Sequence, residues 1–201
     1  MTDWKNTCFY PMMNRAMSTP IYANLRKEVL STASGNILEI GFGSGLNLPY
    51  YPADVHAITA VDVSRTEPAA RRSDLAVDFH QTPAESLPFP DGTFDTVVST
   101  FTLCSVSDVQ RSLAEIRRVL KPGGRFLFAE HGRSWNKGMV WVQHLTNPLY
   151  RLFAAGCNVN RNFPVEFTRS GLIVTAMRQV YNPEESISGY YYIGSALKVT
   201  E

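Results

Sequence analysis

The residues best suited to chemistry in this 201-residue chain lie between positions 39 and 62. Glu39-Ile40-Gly41-Phe42-Gly43-Ser44-Gly45 sets three glycines at alternate positions behind an acid, continuing a short apolar run. Glycines so spaced permit positive φ and let backbone approach a ligand without a Cβ in the way. Asp62 closes a second apolar run, Ala57-Ile58-Thr59-Ala60-Val61, and Val63 follows it. At the end of a neighbouring strand, its carboxylate can accept charge-assisted hydrogen bonds from a vicinal ribose diol. That is the sheet edge where open α/β folds bind ligands. Each feature also has a plainer reading, a bare turn at the glycines and a turn cap at Asp62. A dinucleotide site wants G-x-G-x-x-G, but Leu46 stands in the third glycine position. Pro49 and Pro52 leave little room for a long helix to face a pyrophosphate.

Such residues need a sheet to carry them. Ile37-Leu38-Glu39-Ile40, the run ending at Asp62, Phe94-Asp95-Thr96-Val97-Val98-Ser99 and Arg125-Phe126-Leu127-Phe128-Ala129-Glu130 read as strands. Runs apolar on both faces fit a parallel sheet covered by helices on both sides. Val109, Leu113, Ile116 and Leu120 recur at helical spacing after a cap at Ser107, and Lys121-Pro122-Gly123-Gly124 stops that helix. Strand, helix, strand in this order predicts a doubly wound α/β sheet. Thr19 and Pro20 open an earlier helix that sets Tyr22, Leu25 and Val29 on one face and closes at Gly35. Two further strands start at Ile173 and Tyr190, as a terminal hairpin pair.

Composition narrows the classes. The chain is 44% apolar with a net charge of +1, which fits a globular protein and gives no electrostatic argument for a nucleic-acid partner. Cys8, Cys104 and Cys157 are too widely spaced to read as a disulfide framework or a zinc site. Met1-Thr2-Asp3-Trp4-Lys5 shows no secretory signal, and no apolar run reaches the roughly 20 residues a membrane span needs. The expectation is a cytoplasmic chain with no integral membrane segment.

Leu38-Glu39-Ile40-Gly41-Phe42-Gly43-Ser44-Gly45 resembles the first motif of the class I S-adenosylmethionine-dependent methyltransferases, and Val61-Asp62 matches their ribose-binding acid. Ala84-Glu85-Ser86-Leu87-Pro88-Phe89 with Phe94-Asp95, and Leu120-Lys121-Pro122-Gly123-Gly124, resemble their adenine loop with fourth strand and their turn into the fifth strand. The resemblance implies S-adenosylmethionine as cofactor and a Rossmann-like, seven-stranded, mostly parallel sheet with its last strand antiparallel. It places Gly41, Phe42, Gly43, Gly45, Asp62 and Val63 against the cofactor. It sets Glu39 near the methionyl ammonium, with backbone at Ser99, Thr100 and Phe101 accepting from the same group. Many relatives carry an adenine-binding acid where Pro83 stands, so adenine recognition falls to backbone around Ala84 and Glu85. Thr102-Leu103-Cys104-Ser105-Val106, Glu130-His131 and Gly156-Cys157-Asn158 with Arg161 are similar to segments of animal alkyl-thiol methyltransferases. The glycine loop through Asn47-Leu48-Pro49 is similar to small bacterial methyltransferases. The animal members bear an N-terminal membrane anchor that this sequence does not show.

Methyl transfer demands alignment and desolvation, and proximity alone is worth about 7–11 kcal/mol. A thiol, with a pKa near 8.5, needs little help to ionise, whereas an amine or phenol needs a base. His131 is the candidate base, because imidazole titrates near neutrality; a structural histidine is the alternative. His56, His80 and His144 read as structural, and Cys104 as a pocket-lining or filler residue. Met139, Val140, Trp141, Val142, Leu145, Leu149, Tyr150, Leu152 and Phe153 read as core contact, or as a lid that with Tyr10, Met12 and Met13 walls an apolar pocket. The expected organisation is one methyltransferase domain. It comprises a helical preface over 1–35, a cofactor-binding core over 36–132, a helical insertion over 133–165 and the rest of the sheet over 166–201. The acceptor is expected to be a small, fairly apolar molecule, a thiol first, a lipid head group or quinone-like carbon second. A nicotinamide oxidoreductase and a non-catalytic nucleoside-binding module are the rivals from other classes. No metal ligands are expected.

Overall fold

The computed structural model describes residues 10–65 and 69–199; Cys8 and the residues before Tyr10 lie outside them. In chain order the elements are α1 (Tyr10–Ala16), α2 (Pro20–Leu30), β1 (Ile37–Ile40), β2 (Ala57–Asp62), β3 (Ala76–Gln81), β4 (Phe94–Thr100), α3 (Val109–Val119), β5 (Leu120–His131), α4 (Lys137–Phe153), α5 (Phe163–Ser170), β6 (Ile173–Tyr181) and β7 (Tyr190–Leu197). The strands form one seven-stranded sheet in the order β3-β2-β1-β4-β5-β7-β6. The first five are parallel, and β7 runs antiparallel to both β5 and β6. This is the doubly wound arrangement read from the sequence.

Strand alternation sorts the core into two layers. Leu38, Ile40, Val97, Phe126 and Phe128 meet Leu113 and Ile116 of α3 and Phe163 and Phe167 of α5 on one face. Ile37, Val98, Leu127 and Ala129 meet Tyr22, Leu25 and Val29 of α2 on the other. β3 is the strand that the apolar runs do not reveal. It lies at the sheet edge and alternates Val77 and Phe79 with Asp78 and His80, none of them fully buried. Pro49 falls in a single 3-10 turn, Leu48–Tyr50, so no long helix follows the glycine loop.

Two local expectations are corrected. The cap of α3 is Asp108 rather than Ser107, because its carboxylate reaches the Arg111 N–H at 3.0 Å, the geometry an N-cap requires. The apolar positions of α4 are largely not core. Val140 and Gln143 are buried there, while Trp141, Leu145 and Leu152 are 80%, 82% and 72% exposed. Helical spacing fixes which residues share a face, and nothing among the described residues covers this one.

Candidate active site

Parallel pairing brings the C-terminal ends of β1 and β2 to the same edge of the sheet. The glycine loop turns there, with the N–H groups of Gly41 and Phe42 both donating to the Val61 carbonyl at 2.8 and 3.1 Å. Gly41 has φ +75°, and a Cβ on it would fall 1.9 Å from Thr102 Oγ1, so no larger residue fits. Gly43, at φ +53°, has nothing within 4 Å of where its Cβ would stand. Its backbone faces open space, and its N–H donates to Asp62 Oδ2 at 2.8 Å. Asp62 Oδ1 accepts from the Ser64 N–H at 3.0 Å. Ser64 Oγ also donates to Oδ1 at 3.4 Å, so Asp62 holds the loop and presents its remaining acceptor capacity chiefly through Oδ2.

The open space is a cavity of about 680 Å³, a size that suits a small-molecule cofactor. Gly41, Phe42 and Gly43 form one side, Asp62 and Val63 the next, Ala84 and Glu85 a third, and Thr100 and Phe101 the floor. Glu85 is engaged through Oε1, which accepts from the N–H groups of Ser107 and Asp108 at 3.0 and 3.1 Å. Asn14 and Met17 reach the wall from the N-terminal side, where Ser44 Oγ donates to Asn14 Oδ1; Met12 is exposed. From the α4 side come Leu152, Ala155 and Gly156.

Two expected contacts lie behind the wall. Gly45, at φ +72°, closes the turn by donating to the Phe42 carbonyl at 2.9 Å and does not line the cavity. Glu39 is fully buried, with Oε1 accepting from Asn47 Nδ2 at 2.9 Å and Oε2 from the Tyr51 hydroxyl at 2.7 Å. Burial pushes its carboxyl up to about 7, against the pull of the Tyr51 and Asn47 hydrogen bonds and the Arg26 charge. Asn47 does line the cavity, and it accepts from Thr100 Oγ1 at 3.1 Å. It carries the influence of Glu39 to the surface of the site.

Sequence reasoning missed Asn47, Arg26 and the work of Glu130. Arg26 reaches the cavity from α2, its guanidinium 5.2 Å from the Phe101 ring centroid, and burial lowers its pKa to about 10, which leaves it cationic at neutral pH. Its Nη1 donates to the Met17 carbonyl at 2.7 Å, while its Nε is buried without a protein partner. Glu130 is wholly buried, and its carboxylate accepts from Ser99 Oγ (2.7 Å) and from the N–H groups of Thr102, Leu103 and Cys104 (3.2, 3.0 and 3.1 Å). That staple holds the bend after β4, where Phe101 adopts φ +56°. An acid inside an otherwise apolar strand was the available signal.

His131 and Cys104 are not among the residues that line the cavity. His131 packs against Phe101 with ring centroids 5.2 Å apart, and its Nε2 lies 3.1 Å from the Tyr22 hydroxyl. Neighbouring Cys157 and burial push the Cys104 thiol up, away from a nucleophile's range.

A glycine loop on β1, an acid at the end of β2 and a nucleoside-sized cavity across the carboxyl edge define a class of protein that comparison with known sequences identifies. The family described as Methyltransferase domain matches residues 38–128. The thiol S-methyltransferase TMT1A of Homo sapiens is 30% identical over 77% of this chain and 67% of its own length. A phosphatidylethanolamine N-methyltransferase of Cereibacter sphaeroides is 35% identical over 51% of this chain and 53% of its own length. Among solved structures, a Burkholderia thailandensis 1,6-didemethyltoxoflavin-N1-methyltransferase has a TM-score of 0.70 at 18% identity, over 95% of this chain and 84% of that one. The chain belongs to the S-adenosylmethionine-dependent methyltransferases. No helix among the described residues is long and apolar enough to cross a membrane.

Proposed function

We propose that this methyltransferase acts on the sulfur of a small, apolar thiol. The observation that carries the reading is the chemistry of the cavity wall. Among the described residues its titratable side chains are Arg26, Asp62 and Glu85, and it holds no histidine, lysine, tyrosine or cysteine. Glu85 is engaged at the start of α3, and Asp62 at the glycine loop. An acceptor at this site must therefore supply its own nucleophile, which a thiol does near neutrality without a general base. His131, expected as the base, is not among the residues that line the cavity. The apolar residues Val106, Leu152 and Ala155 at the wall match the acceptor's body.

The open space over Gly43 and the Asp62 carboxylate at the wall fit the cofactor. S-adenosylmethionine, when bound, supplies an electrophilic methyl carbon on a sulfonium. Asp62 receives the ribose diol, and the backbone at Ala84 and Glu85 faces the adenine edge. The Arg26 guanidinium at the wall would answer the amino-acid carboxylate, and Asn47 with the backbone at Thr100 and Phe101 would receive the ammonium. Glu39 supplies the compensating charge behind Asn47. Phe101 and Phe42 at the wall exclude water. The chemistry the bound cofactor would supply is in-line methyl transfer to the acceptor sulfur, with the thiol proton passing to solvent.

A second reading, a lipid head group as acceptor, is favoured by the exposed apolar face of α4, which ends at cavity-lining Leu152. Incubation with the cofactor and a panel of alkyl thiols, amines, phenols and phospholipids, followed by mass spectrometry, decides between them. S-methylated products are expected, and N-methylated lipid with untouched thiols would reverse the assignment.

A further inference from the structure

Beneath the cavity, three segments that are distant in sequence bring metal-ligating atoms together. Cys104 comes from the bend after β4, His131 from the end of β5 and Cys157 from the chain after α4. Their ligand atoms all lie within 4.8 Å of one another, with Cys104 Sγ 3.9 Å from His131 Nδ1, and all three residues are buried. We propose that Cys104, Cys157 and His131 bind one thiophilic divalent d10 cation of the Zn²⁺ class.

The spacing is close to what such an ion needs. Zn–S bonds of about 2.3 Å and a Zn–N bond of about 2.0 Å in tetrahedral geometry set ligand atoms about 3.5–3.8 Å apart. The site closes on an ion with shifts well under the length of a bond. Two thiolates neutralise a divalent ion, so the loaded site adds no net charge to a buried region. Thiolate ligands also discriminate against the hard cations Mg²⁺ and Ca²⁺.

The orientation of His131 is an independent sign. Tyr22 donates its hydroxyl proton to Glu185 Oε2 at 2.9 Å, so its oxygen accepts from the Tyr191 hydroxyl at 3.3 Å and from His131 Nε2 at 3.1 Å. That places the ring proton on Nε2 and turns the Nδ1 lone pair toward the sulfurs. A metal-bound histidine is oriented in this way, with its outer nitrogen donating into a chain that ends on a carboxylate. Cys104 is equally fixed, because Glu130 Oε2 accepts from its N–H at 3.1 Å and the Asn158 N–H donates to its carbonyl at 2.8 Å. Thr102, Ser105 and Gly156, chain neighbours of the two cysteines, line the cavity. The ion braces that wall and takes no part in methyl transfer.

The test is a titration of the full chain, stripped with chelator, reduced with a phosphine and kept anaerobic, with Cd²⁺ as the probe. A thiolate-to-Cd²⁺ charge-transfer band saturating at one equivalent is expected, and Zn²⁺ should displace it. Cys104→Ser and Cys157→Ser should each abolish the band and Cys8→Ser should leave it. Tyr22→Phe should weaken binding about ten-fold through the lost orienting bond. The absence of a saturable band in folded wild-type protein would overturn the proposal, as would a band that survives both serine variants. Alkylation mapped by mass spectrometry tests the wild type alone: Cd²⁺ should protect Cys104 and Cys157, and protection of Cys8 instead counts against the site.

Discussion

At the scale of single residues, Asp62 does two jobs, holding Gly43 and presenting acceptors to the cavity. Asp62→Ala should weaken binding of S-adenosylhomocysteine by about 1.5–3 kcal/mol, the range for hydrogen bonds to a charged group, with calorimetric titration as the measurement. Glu39 makes stability depend on pH. Its folded pKa of about 7 lies above the ordinary carboxylate value, so the folded state holds the proton more tightly than the unfolded chain does. The stability this contributes is complete below about pH 4.5 and is lost as pH rises through 7, a span on the order of 3 kcal/mol. Denaturant unfolding from pH 5 to 8 should show that slope in the wild type and a flatter profile in Glu39→Gln. Both residues were legible in the sequence because their signals are local, an acid before a glycine loop and an acid at a strand's end. Arg26 and Asn47 were not, since each acquires its role only when α2 or the 3-10 turn meets the chain at the end of β4, through Phe101 and Thr100, while the signal at Glu130, an acid in an apolar strand, went unused. Cys104, His131 and Cys157 are the extreme case, three separate positions that no spacing rule joins.

At the scale of elements, the loop between β1 and β2 separates two uses of glycine. Gly41→Ala drives a Cβ into Thr102 and should cost about 2–4 kcal/mol of stability, combining overpacking with left-handed backbone strain. Gly43→Ala meets no protein atom and should cost only about 1 kcal/mol. Its methyl enters the cavity instead, and cofactor affinity should fall about ten-fold, or 1.4 kcal/mol. Thermal unfolding and calorimetry on the two variants separate the effects. Buried strands announced themselves by unbroken apolar runs. β3 escaped notice because an edge strand with Asp78 and His80 facing out has no such run. The start of α3 shows the usual limit on boundaries, since Ser107 and Asp108 both suit a cap and only the backbone direction selects the second.

For the whole molecule, the contrast between α3 and α4 measures how far periodicity reaches. Both carry apolar stripes, yet Leu113 is fully buried and Leu145 is 82% exposed. Leu113→Ala should cost about 2–5 kcal/mol, whereas Leu145→Ala should stay within about 0.5 kcal/mol, as denaturant melts can establish. A sequence states that a face is apolar, and only the assembled fold states what meets it. The sheet order has a consequence for how the molecule is made. β7 is inserted between β5 and β6, although both are synthesised before it. Until Tyr190–Leu197 arrives, the growing chain therefore carries two raw strand borders side by side, each able to zip onto a stranger's backbone. β7 works as a keystone, and the period of greatest risk for this protein falls in the moments before it drops into place.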